Sequence, residues 1–222
     1  ILGFCAYGHH KGFFHKLVAY DNLITGLQYI SSALTGNPYT GNGRNLSYRK
    51  DLFFAHKGYY KSLSLHAGDD DLFINESANA QNTWVEYSPE SITEMAKIDR
   101  FSMWKEMKVS RAATQRYYKG WNLTFFRIES LSYFLFFIAV IASIVMGILG
   151  NWLISILAGL LYIIRFSTKA AILHKSAKLL QQKPVTGWLF LLELLLPLFN
   201  LYVRIYRIFR GKNDYTFRLG NK

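Results

Sequence analysis

From Leu131 to Ile164 the chain is almost unbroken apolar sequence, and a second apolar block runs from Trp188 to about Tyr202. Neither block shows the polar alternation of a soluble core, which assigns the C-terminal third to a membrane. Leu131–Leu149 is 19 residues, and a helix rising about 1.5 Å per residue covers roughly 30 Å, one bilayer core, in that length. Gly150-Asn151 makes a turn, and the thirteen residues from Trp152 to Ile164 return. Thirteen residues reach the far side only if Arg165 and Lys169 extend them by snorkelling. Residues 1–127 remain for soluble chemistry, which excludes a soluble enzyme of the full 222-residue length. A hydrophobic content of 51%, with 17% aromatic, excludes a disordered chain. The chain opens on Ile1-Leu2-Gly3-Phe4, with no Met and no signal-peptide pattern, and is expected to be a piece of a longer protein.

The net charge of +12 is unevenly placed. Residues 1–106 carry ten Lys/Arg against eleven Asp/Glu, whereas residues 107–222 carry sixteen against three: Glu129, Glu193 and Asp214. Basic residues beside apolar spans favour anionic lipid headgroups over nucleic acid as the partner. Arg127 precedes the apolar hairpin, Arg165, Lys169, Lys175, Lys178 and Lys183 follow it, and the turn is uncharged. Both hairpin ends are therefore expected to be cytoplasmic, in an integral protein of the inner or plasma membrane. The third apolar block is interrupted by Glu193 and Pro197 and followed by a basic tail (Arg204, Arg207, Arg210, Lys212, Arg218, Lys222). A single crossing would place that tail outside, so an interfacial or re-entrant helix fits the charge rule better than a span.

The soluble part reads as mixed α and β. Apolar residues recur at three- and four-residue steps from Gly12 to Leu34, as in an amphipathic helix, which Gly36 and Pro38 stop. A Gly/Asn-rich loop, residues 36–43, leads into Arg44-Asn45-Leu46-Ser47-Tyr48-Arg49-Lys50; its glycines allow close backbone approach. Ser62 to His66 alternates weakly, Thr83 to Tyr87 alternates as a strand, and Asp99 to Tyr118 reads as a helix with an aromatic side and a basic side. The lone Cys5 permits no internal disulfide, and His9-His10, lacking a third ligand at helical spacing, reads as a solvated pair.

Asp69-Asp70-Asp71 is the sharpest chemical feature. Three adjacent carboxylates repel, so a loop holding them between apolar residues suggests a general base or a divalent cation. A solvated acidic turn is the plain alternative.

Three segments, in order, resemble the C-terminal portion of a membrane-bound family 2 glycosyltransferase, the group of cellulose, chitin and hyaluronan synthases and exopolysaccharide transferases. They are Gly43-Arg44-Asn45-Leu46-Ser47-Tyr48-Arg49-Lys50, then Gly68-Asp69-Asp70-Asp71-Leu72, then the basic helix ahead of the apolar hairpin. The family's QxxRW has two placements here. Lys108-Val109-Ser110-Arg111-Ala112 keeps the Arg alone, and Gln115-Arg116-Tyr117-Tyr118-Lys119 keeps the Gln alone, with Trp121 two residues late. The missing Trp argues against processive chain extension.

The resemblance implies an α/β domain plus membrane helices: residues 1–127 as the acceptor-side half of a GT-A (Rossmann-like) domain, 128–166 as a transmembrane hairpin, and 167–222 as a basic loop, a further apolar helix and a basic tail. It implies an inverting transfer from a nucleotide-diphosphate sugar to a polysaccharide or lipid-linked acceptor, in cell-surface polysaccharide synthesis. Asp70 is the preferred base over Asp69. Gly43, Arg44, Asn45 and Asp71 would border the acceptor, and Arg111, Arg116 and Lys108 the diphosphate. The divalent metal, magnesium or manganese, would be held mainly by residues upstream of this chain, with none of its ligands here. The reading from another class is a non-catalytic, membrane-anchored scaffold or subunit. A transporter fragment is disfavoured, because Glu193 is the one ionisable residue expected within an apolar block.

Overall fold

A computed structural model of the 222-residue chain describes residues 1–60, 62–63, 65 and 68–210. The alternation expected over 62–66 falls partly on Ser64 and His66, and the tail residues Lys212, Arg218 and Lys222 follow Arg210; these lie outside the described residues.

Two short parallel sheets sit at the start of the soluble part. Strand β1 (Leu2–Gly3) pairs with β3 (Val85–Glu86), and β2 (Cys5–Tyr7) pairs with β4 (Thr93–Met95). Parallel neighbours need a crossover rather than a tight turn, and helix α1 (Phe13–Leu34) lies in that connection. Its apolar stripe buries Leu17, Val18, Tyr20, Leu23 and Tyr29 against Phe4, Cys5 and Tyr7 of the strand segment. The Tyr29 hydroxyl donates to the Gly3 carbonyl at 2.8 Å, fixing the helix to the strand. Helices α2 (Lys50–Ala55), α3 (Asp69–Ser77) and α4 (Phe101–Thr114) follow, with a tight 3₁₀ turn over Gln115–Tyr117. The expected α/β class with membrane helices is present in outline: helices dominate and the sheets are small. The strand expected over Thr83–Tyr87 contracts to Val85–Glu86, and the helix expected to reach Tyr118 ends four residues earlier.

Helices α5 (Asn122–Leu149) and α6 (Trp152–Leu179) form the apolar hairpin, and α7 (Leu189–Phe209) follows. Segments Arg127–Leu149, Trp152–Leu179 and Thr186–Phe209 are each long and apolar enough to cross a membrane. The Asn151 side chain starts α6 by accepting the Leu153 N–H at 3.0 Å. The shortfall expected of a thirteen-residue return segment does not arise, because α6 runs for 28 residues, continuing through Arg165 and Lys169. Its last turns leave the apolar hairpin and join the soluble core through Leu173 and Ala177.

Helix α7 runs uninterrupted through Pro197, which removes the hydrogen bond normally made to the residue four earlier. That residue is Glu193, and its freed carbonyl accepts a hydrogen bond from the Tyr133 hydroxyl of α5. Another helix thus satisfies the orphan group, as apolar surroundings require. One side of α7 packs Leu189, Leu192, Leu196 and Val203 inward, while Phe190, Leu194, Leu198 and Ile205 stay exposed. Trp104 of α4 stacks on Phe199 with ring centres 4.4 Å apart.

Candidate functional site

The acidic triplet is the first turn of α3 rather than a loop. Gly68 adopts φ 110°, in the left-handed region, and starts the helix immediately after it. Unpaired N–H groups and the positive end of the helix dipole favour carboxylates in a first turn. The mutual repulsion of the triplet is therefore offset without a cation. Asp70 Oδ1 accepts the Asp71 N–H at 2.9 Å, and Asp71 Oδ1 accepts the Leu72 N–H at 2.8 Å. Exposure falls along the triplet: Asp69 is exposed, Asp70 half-buried and Asp71 buried.

Asp71 is fixed at its other oxygen as well. Oδ2 accepts the Thr114 hydroxyl and the Tyr118 hydroxyl, each at 2.6 Å. Burial raises its pKa above the ordinary carboxylate value, and the two hydroxyls oppose that shift by stabilising the anion. The Tyr118 phenol is pushed up by burial first and by the Asp71 charge second. Asp71 thus joins α3 to the end of α4.

The Gly-rich segment closes onto Asp70. Gly43–Asn45 forms a 3₁₀ turn in which Asn42 Oδ1 accepts the Arg44 N–H at 3.2 Å. The Gly43 N–H donates to Asp70 Oδ2 at 2.6 Å. A Cβ at position 43 would stand 2.9 Å from that same oxygen, so any larger residue would make the Asp70 side chain shift. Asn45 faces inward: its Nδ2 donates to the Phe4 carbonyl at 2.8 Å and the Ser91 carbonyl at 2.7 Å. It pegs the turn to the strand region.

Beside this turn, a cavity of about 970 Å³ opens between α1, α4 and the three long helices. Of the residues singled out from sequence, Arg44, Lys108 and Arg111 line it; Gly43, Asn45, the three aspartates and Arg116 do not. Arg116 donates to the Tyr117 hydroxyl at 2.6 Å and lies over that ring at 4.7 Å. The arginines of the two placements are thereby separated, although Gln115 and Tyr118 of the second placement line the same cavity as Lys108 and Arg111. Lys108 Nζ pairs with Asp21 Oδ1 at 2.5 Å, and Asp21 Oδ2 accepts the Trp104 indole N–H at 3.2 Å. Burial lowers the Lys108 pKa, with Asp21 acting against it.

Two constellations were not expected from the sequence. Glu193, 2% exposed, is held by Arg165 at 2.7 Å and Lys169 at 3.0 Å, tying α7 to α6. Their signal was present as an acid inside one apolar block and two bases just past another, since ionisable groups at membrane depth pair with one another. Asp21 with Lys108 had no comparable signal, being 87 residues apart.

Among the described residues, no group of three or more His, Cys, Asp or Glu side chains converges as metal ligands. The triplet does not fit a divalent site either. Asp70 and Asp71 each accept hydrogen bonds at both oxygens and do not converge with Asp69 on one point. Compared with known families, curated proteins and solved structures, the chain matches none.

Proposed function

We propose that this chain belongs to a membrane-anchored inverting glycosyltransferase of the family 2 kind, acting from a nucleotide-diphosphate sugar onto a saccharide or lipid-linked acceptor. The observation that carries the reading is the Gly43 N–H bond to Asp70. It brings the two segments of the resemblance, 27 residues apart in sequence, into contact next to a basic cavity. Two backbone N–H groups hold the Asp70 carboxylate at fixed orientation while leaving lone pairs on each oxygen. In the proposed reaction an acceptor hydroxyl oxygen attacks the anomeric carbon and its proton passes to Asp70. The bond to the nucleoside diphosphate breaks with the electron pair leaving on the diphosphate. Arg111, on the cavity wall, compensates that charge. Arg44 and Gly43 border the acceptor, and Asp71 positions Asp70 through the helix turn they share. The catalytic side faces the cytoplasm in this proposal, as the charge placement around the hairpin supports. The test is transfer from a panel of nucleotide sugars by the membrane-purified protein, with Asp70→Asn and Asp69→Asn beside it.

One observation favours the scaffold reading. Both Asp70 and Asp71 have structural partners, so a first helical turn explains the triplet without catalysis. No transfer from any donor of the panel would support the scaffold reading, whereas transfer unaffected by both Asn substitutions would make the triplet structural within an enzyme.

A further inference from the structure

Seven Lys/Arg and three Asp/Glu side chains line the cavity. The acids do not neutralise it. Asp21 is taken by Lys108, and Glu193 by Arg165 and Lys169. Glu129 accepts a long 3.4 Å bond from Gln28 and forms no ion pair among the described residues. Four arginines on the lining, Arg44, Arg111, Arg127 and Arg204, have no carboxylate within ion-pair distance among the described residues. Three of them stand near one another: Arg111 and Arg204 both bear on Lys108, and Arg127 bears on Arg204. All four are exposed, so water screens part of their mutual repulsion, and an anion that meets them relieves it further.

The position of the cluster defines that anion. Arg127 is the first residue of one apolar segment, and Arg204 lies in another near its end. From there the lining continues onto Tyr133, Phe136 and Ile172 of the hairpin, and the neighbouring helix faces expose Leu131, Leu135 and Leu201. Cations therefore gather where apolar, bilayer-compatible surface begins. Guanidinium groups match phosphate oxygens in bidentate geometry. We infer that the cavity is a binding site for the phosphate-bearing headgroup of a bilayer lipid, held by Arg111, Arg127 and Arg204, with the lipid tail along the exposed helix faces. At Arg127 and Arg204 this inference is independent of sugar transfer; Arg111 is shared with the diphosphate of the transferase reading.

The test is calorimetric titration of the full chain in neutral detergent with dioctanoyl phosphatidic acid. Parallel arms use dioctanoylglycerol, with equivalent tails and no phosphate, and inorganic phosphate. Saturable binding of one phosphatidic acid per chain is expected, weakened about tenfold or more in the Arg111→Gln/Arg204→Gln variant. The Lys175→Gln/Lys178→Gln variant removes exposed cations that do not line the cavity and should bind like the parent. Arg127→Gln/Arg204→Gln gives a second reading should the first variant melt abnormally. Equal binding of dioctanoylglycerol, equal or tighter binding of free phosphate, or equal losses in the Lys175/Lys178 variant would each overturn the assignment.

Discussion

The Tyr118 hydroxyl donates to Asp71 Oδ2 across 2.6 Å, joining the segment after α4 to the first turn of α3. The same phenol lies 3.1 Å from the Thr40 hydroxyl, at the edge of the Gly-rich loop. Three pieces of chain that border the candidate site are thus held by one half-buried ring. Tyr118→Phe should lower stability by about 1–2 kcal/mol, and Asp71→Ala by more, because it removes the acceptor of two hydroxyls, one of them buried. Thermal melting in detergent measures both, and an unchanged melting point for Asp71→Ala would sink the claim.

The raised pKa of Asp71 carries a pH dependence of defined sign. Folded, this carboxyl holds its proton more tightly than its ordinary value of 3.8. Its contribution is fully present below the unfolded pKa and is lost as pH rises through the folded one. Relative to Asp71→Asn, the parent should therefore lose stability as pH rises from about 4 toward neutrality. Parallel melting curves for the two proteins over that range would contradict it.

Glu193 holds two cations, so Glu193→Gln leaves both short of a counter-charge. Arg165 and Lys169 remain 27% and 29% exposed, which lets water compensate in part. The expected loss is about 2 kcal/mol, below the roughly 3–5 kcal/mol for breaking a fully buried pair. Exchanging the charges in Arg165→Glu/Glu193→Arg should recover part of the loss, and the double variant melting below both single variants would count against a direct pairing role.

Under the transferase reading, Asp70→Asn should slow transfer about 10²–10⁴-fold with donor binding nearly intact. Asp69→Asn, at an exposed position, should retain most activity. The reverse ranking would move the base to Asp69.

Asn151→Cys and Ser176→Cys, each in a Cys5→Ser background, should react with an impermeant maleimide from opposite sides of the membrane. Labelling of both from one face would show that the hairpin does not cross.

Sequence periodicity located α1, α4, α5 and α7 because each carries a long apolar repeat in one direction. It underestimated α6, whose second half reads as a basic loop. Arg165 and Lys169 face Glu193 there, while Leu173 and Ala177 face the soluble core, so two different burial environments share one helix. The triplet looked strained as a loop, since its N–H partners appear only once a helix turn exists. Asn45 was legible as a loop residue, but its two carbonyl partners come from Phe4 and Ser91, distant in sequence and adjacent only in the fold. Pairings such as Asp21 with Lys108 leave no periodic trace.

Just past the end of α6, the side-chain amide of Gln182 behaves like a strand partner for Tyr7. It accepts the Tyr7 N–H and donates to the Tyr7 carbonyl, both at 2.8 Å. Tyr7 emerges before Gln182, which follows only after the residues of α5 and α6 have been made. The edge of β2 therefore waits, its main chain unsealed, until the hairpin has been translated. A ribosome stalled before Gln182 would present a soluble part with that seam still open, and protease sensitivity near Tyr7 should disappear as the chain grows past this residue.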